Sequence, residues 1–155
     1  MEETPWLQDA LNETEQKKRI ALLFDLNNMS AESAKNLTAL QKKQLANGGF
    51  PWFGGEGADP YITQYILTGI GQLYKSGIAD VNNSTLRAIN DKAINYLDKR
   101  LEADEANVRK YDKKYLSRNL NSLEIHAWYA RSYFKAAIDA ELKIVQRNYI
   151  NRAVA

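Results

Sequence analysis

Apolar residues recur along this chain at spacings of three and four, and no sustained alternation of apolar and polar positions points to strands. Six helices are predicted. Trp6, Leu7, Ala10 and Leu11 share one face, and Asn12 with Glu15 offers a capping pair ahead of a second run through Ile20, Leu23, Phe24 and Leu26, so this stretch reads as one bent helix or two. Ser30 caps the next, whose stripe of Ala34, Leu37, Leu40 and Leu45 stops near Asn47 and Gly48, a pair that tolerates positive φ. Together these helices predict an antiparallel hairpin.

Asp59 and Pro60 form a cap and first-turn pair for a helix through Tyr61, Ile62, Tyr65, Ile66, Ile70, Leu73 and Tyr74. It carries no charge before Lys75 and is apolar on most of its circumference, which predicts an element surrounded by others. Gly69 and Gly71 each cost roughly 1 kcal/mol of helix propensity, which predicts a neighbour close enough to need the space. Asn82, Asn83 and Ser84 start a helix with Leu86, Ile89, Ala93, Tyr96, Leu97 and Leu101 inward. From Asp98 to Arg118 the charges are mixed, predicting a solvated outer face with a turn near Ala106 and Asn107. Asn121 or Ser122 caps a helix whose inner side holds Leu123, His126, Ala127, Ala130 and Phe134, and a last helix runs from about Asp139 to Arg152. The expected architecture is all-α, built of antiparallel helical hairpins, as one all-helical domain or fragment over residues 1–155 with no internal linker.

Composition narrows the chemistry. With 155 residues, 45% of them apolar, there is material for one real core. Lys plus Arg number 21 against 19 Asp plus Glu, so no global field gathers nucleic acid or anionic membrane. The absence of cysteine removes disulfides, thiolate metal sites and cysteine nucleophiles. The acidic start Met-Glu-Glu-Thr-Pro lacks the pattern of a signal peptide, and the longest charge-free run, Pro60 to Tyr74, is too short and too polar to span a bilayer. These features predict a soluble chain without an address.

The loop at 46–59 is the most distinctive stretch, holding five of the eight glycines beside Phe50, Pro51, Trp52 and Phe53. Two readings are open. Exposed Trp52 and Phe53 would stack on a sugar or seat a partner; alternatively Gly48 and Gly49 permit a tight turn and Phe50 and Trp52 fold back as a plug onto the preceding hairpin. Burying a large aromatic contributes a few kcal/mol, which favours the plug. Glu56 and Asp59 supply two carboxylates beside the loop, but Asp59 already serves as a cap. His126, the single histidine, lacks a second histidine or a cysteine to complete a metal site and reads as a satisfied core or groove residue. No catalytic residue, metal or cofactor is predicted. The positions singled out, as structural or binding-loop residues, are Gly48, Gly49, Phe50, Trp52, Phe53, Tyr61 and His126.

Thr4-Pro5-Trp6, the segment from Ile20 to Asn27, the loop from Asn47 to Phe53 followed by Tyr61-Ile62-Thr63-Gln64-Tyr65-Ile66, and the run from Ile125 to Phe134 together resemble the helical domain of bacterial alpha-2-macroglobulin-like proteins. In that family the region belongs to the thioester domain, an α/α toroid of inner and outer helical rings. The resemblance implies an inner position for Tyr61 to Tyr74 and an outer one for Asp98 to Arg118. It also implies a secreted or envelope-anchored protease trap, whose thioester joins a Cys to a Gln. This chain has no Cys and so cannot perform that step; the resemblance makes it a non-catalytic piece with about half the helices of a closed ring. The implied partners are other domains of the parent, proteases met through the parent, and a second copy meeting an exposed apolar face, with no nucleic acid and no membrane contact. Two other readings stand beside it: a helical-toroid glycan lyase or hydrolase using Glu56 or Asp59, and a free-standing interaction module using the aromatic loop.

Overall fold

The computed structural model of the chain describes residues 5–52 and 55–154, without the side chains of 5–13, 16, 19, 22–27, 29 and 30. Among the described residues, five α-helices, a short 3-10 turn and one antiparallel pair of two-residue strands make up the regular structure, so the fold is all-α. The chain divides into two compact units, Met1–Leu40 and Gln41–Ala155.

Helix α1 (Pro5–Lys43) is continuous through Ser30, where a hairpin turn was expected. Between Trp6 and Asn47 the sequence holds neither glycine nor proline. Asn27, Asn28 and Ser30 only lower helix propensity by tenths of a kcal/mol, too little to break the hydrogen-bond ladder. The faces proposed for Trp6 to Leu11 and for Leu23 to Leu26 lie outside the described side chains; Ile20 is exposed and Leu37 and Leu40 are half-buried.

In the second unit, strands β1 (Phe50–Pro51) and β2 (Ala58–Asp59) close the loop and lead into α2 (Pro60–Lys75). Asp59 accepts from the Ile62 amide at 2.9 Å and Pro60 opens the first turn. The helix stops at Ser76 and Gly77, the latter at φ +71°, with the Gly77 amide on the Tyr74 carbonyl and the Ile78 amide on that of Leu73. Helix α3 (Ser84–Tyr111) is capped by Asn83, α4 (Ser122–Ser132) by Asn121 and α5 (Ala140–Val154) by Asp139, each through a side-chain oxygen on an amide three residues on. A short 3-10 turn at Tyr115–Ser117 joins α3 to α4.

Helix α2 packs on α3 and α4, and α5 closes against α3. Leu67, Ile89, Leu97 and Leu142 are fully enclosed where they meet. Gly71 carries the close approach the sequence required: a Cβ there would lie 2.4 Å from Tyr133 Cγ. Gly69 has open space instead. The helix is enclosed on one side only, since Tyr61, Tyr65 and Leu73 remain exposed.

Two further expectations fail in α3. It runs straight through Ala106 and Asn107, and its face is not wholly solvated. Glu105 is 6% exposed and accepts from Asn148 Nδ2 at 2.8 Å, because Leu101, Glu105 and Val108 continue the inward stripe toward α5. Asp98, half-buried, receives Arg131 Nε at 2.8 Å. Among the described residues no helix is long and apolar enough to cross a membrane.

Candidate functional site

The aromatic loop is built on its glycines. Gly48 sits at φ +91°, and a Cβ there would fall 2.1 Å from the Lys92 carbonyl oxygen of α3. Gln44 Nε2 donates to both the Gly48 and Ile89 carbonyls at 2.9 Å, tying the turn to α3. At Gly49 the obstacle would be Ala58 Cβ, 2.5 Å away across the strand pair. Phe50 follows, 2% exposed, with its amide on Thr63 Oγ1 at 2.9 Å while that hydroxyl donates to the Asp59 carbonyl at 2.8 Å. Tyr96 closes the far side by donating to the Ala58 carbonyl at 3.3 Å.

Among the described loop aromatics the plug is Phe50, seated against α2, since α1 offers no hairpin to receive it. Trp52 departs from the expectation of a buried indole: it is 53% exposed, just past the end of β1, where the Gly55 amide donates to the Trp52 carbonyl at 2.9 Å. Phe53 lies outside the described residues. Glu56 is exposed, and Asp59 is committed to capping α2.

Tyr61 and His126, separated by more than sixty positions in sequence, are brought together by the packing of α2 on α4. They form part of a row of rings that the sequence reading had not joined. Tyr65, Tyr61, His126, Tyr129 and Tyr133 follow one another with centroid distances of 6.5, 6.3, 6.3 and 5.3 Å. Tyr65 is 65% exposed, and Tyr61 and Tyr129 about half. His126 is held from below: its Nδ1, assigned as the protonated nitrogen, donates to Gln64 Oε1 at 3.1 Å, and Thr68 Oγ1 approaches Nε2 at 3.5 Å. Tyr129 and Tyr133 share a hydrogen bond of 2.6 Å, which pushes Tyr129 below its ordinary pKa and Tyr133 above its own. The signal available in the sequence was the spacing on each helix, Tyr61 to Tyr65 and His126 to Tyr129 to Tyr133, all at three or four. What joins the two sets is tertiary.

Along α2 the sequence carries no charge from Tyr61 to Tyr74, and the rings of the row present a partly exposed aromatic face. Tyrosines expose broad apolar faces with a polar tip and lose little entropy when covered. Among the described residues no group of three or more potential metal ligands converges. No protein-family model, curated protein or solved structure matches this chain.

Proposed function

We propose that this chain is a non-catalytic structural segment of an alpha-2-macroglobulin-like protease inhibitor, working by packing against other parts of its parent in the periplasm, on the outer membrane or outside the cell. The observation that carries the reading is the exposed aromatic row on α2 and α4. A contiguous apolar face of this kind on a helix pair marks a surface meant to be covered. In an α/α toroid, further hairpins cover such a face, and the Gly48 to Phe50 turn keeps α2 and α3 in place beneath it. Contact with proteases then belongs to the parent. The glycan-active alternative is weakened by Asp59, whose carboxylate is spent on the α2 cap.

The test compares this chain with one lengthened by its neighbouring parent sequence, using tetranitromethane nitration mapped by mass spectrometry. Tyr61, Tyr65 and Tyr129 are expected to react readily in the short chain and to be protected in the long one. Equal reactivity in both would refute the packing role.

A further inference from the structure

We propose that the loop between α2 and α3 presents Asn82 as the acceptor for an N-linked glycan, a covalent modification outside the aromatic row. Five Asn-x-Ser/Thr triplets occur in the chain, beginning at Asn12, Asn28, Asn36, Asn82 and Asn83, and the fold makes them unequal. Such a triplet is read through two groups, the asparagine amide that receives the sugar and the hydroxyl two residues on, so both have to face one partner.

In an α-helix, residues two apart are rotated by about 200° and stand on opposite sides. Asn12, Asn28 and Asn36 all lie inside α1, which separates the two positions of each triplet in this way. The Thr38 hydroxyl of the Asn36 triplet is also spent on the Ala34 carbonyl at 2.9 Å. Asn83 is half-buried, and its Oδ1 caps α3 by accepting from the Leu86 amide at 2.9 Å.

Asn82 differs on each count. It is exposed, its side chain has no partner among the described residues, and Ser84 is exposed as well. Asn83 between them is extended, at φ −61° and ψ 114°, and the side chains flanking an extended residue leave the chain on the same side. Asp80 fixes the turn: its Oδ1 accepts from the Asn82 amide at 2.8 Å and its carbonyl accepts from the Asn83 amide at 3.1 Å. The amide of the Asn82 side chain is thus held at the surface without being used by the fold. Beside it Ile78 and Val81 are 76% and 56% exposed, apolar surface that a solubilising glycan would screen.

The transfer requires a polyisoprenyl-pyrophosphate-linked oligosaccharide as co-substrate. Asn82 Nδ2 attacks the anomeric carbon, a C–N bond forms as the C–O bond to pyrophosphate breaks, and the polyisoprenyl pyrophosphate leaves. The amide proton passes to a base of the transferase, and nothing is oxidised or reduced. In the cell this rests on the export contained in the function proposed above, whereas with purified components it does not.

The experiment incubates the intact purified chain with an undecaprenyl-pyrophosphate chitobiose donor and a single-subunit oligosaccharyltransferase active on the free peptide 78–86, and maps the glycan by mass spectrometry. Failure here speaks against Asn82 and leaves the packing role, tested by nitration, untouched. Product is expected at Asn82, with Asn36 and Asn83 lower by about tenfold or more, because each has to be freed by local opening first. Ser84→Ala destroys the Asn82 triplet while keeping that of Asn83, and should abolish the product. Asn82→Gln, at an exposed loop position, should do the same and serves if the serine variant disturbs α3. The proposal is overturned if Asn82 stays unmodified, if Asn36 or Asn83 is modified as heavily, or if either folded variant takes up glycan as before.

Discussion

Two glycines two residues apart in α2, and so on nearly opposite sides of the helix, make opposite predictions. Gly69 has no atom within 4 Å of the position a Cβ would take, so Gly69→Ala adds only helix propensity and should stabilise the chain by up to about 1 kcal/mol. Gly71→Ala gains the same propensity but drives its methyl to 2.4 Å from Tyr133 Cγ, 2.5 Å from Tyr133 Cβ and 2.9 Å from Tyr133 Cδ1. The Cβ is fixed by the backbone and cannot rotate away, so even if χ1 swings the ring aside the end of α4 itself has to move. Overpacking of this kind costs about 1–3 kcal/mol, and a rigid neighbour puts the value at the upper end. The net loss for Gly71→Ala is then about 2 kcal/mol, and the two variants should differ by about 3 kcal/mol. At about 4 °C per kcal/mol, their melting temperatures should lie roughly 12 °C apart on either side of the parent's. Thermal unfolding followed by circular dichroism reads this directly. If Gly71→Ala melts with Gly69→Ala, the close approach of α2 to α4 is wrong, and with it the juxtaposition of Tyr61 and His126.

Arg131→Met tests the other long-range tie. Arg131 is 4% exposed and donates to Asp98 and to the carbonyls of Phe134, Ala136 and Ala137, so its removal should cost about 3 kcal/mol and raise amide hydrogen exchange in residues 134–139; unchanged exchange there would count against the assignment. The pH dependence follows from Asp98, Glu102 and Glu124, whose carboxyls burial pushes above the ordinary values of 3.8, 4.5 and 4.5. Because each folded-state value lies above the unfolded one, the native chain holds more protons between them, and the stability these groups contribute grows as pH falls from neutrality toward ~5. A urea midpoint that drops steadily over that interval would contradict the burial of these groups.

How much of this was legible depended on whether a residue's fate is decided nearby in sequence. Asp59 was readable as a cap, and Asn83, Asn121 and Asp139 fall at expected helix starts, because each satisfies an amide three residues on with no help from the rest of the fold. Ser30 and Asn107 look similar in composition, yet α1 and α3 run through them. A capping residue ends a helix only where the chain also gains by leaving it, and without glycine or proline that gain has to come from packing, which the sequence does not display. Glu105 shows the same limit from the other side. In a run of mixed charge it reads as solvated, and its pairing with Asn148, forty-three positions away, joins the local ion pair with Arg109 in making burial tolerable.

The candidate site follows the same division. Gly48, Gly49 and Phe50 could be recognised because a glycine pair before a large aromatic is a local statement about backbone space, and the Lys92 and Ala58 contacts give that statement its object. Trp52 could not, since the strand pairing ends at Pro51 and nothing local in the sequence says whether the indole just beyond it is covered; it stays half in water. The tyrosine row is intermediate: spacing within each helix was visible, and the choice of partner helix was not. That choice is made by Gly71, whose missing Cβ lets α4 come close, and by Gln64, which holds His126 between Tyr61 and Tyr129. The chain thus shields Phe50 while leaving four tyrosines along one face of α2 and α4, although burial of those rings would favour stability. Aligning those outward side chains uses a glycine that lowers helix propensity and a buried glutamine that has to be paired, which is the physical basis for proposing that something covers them.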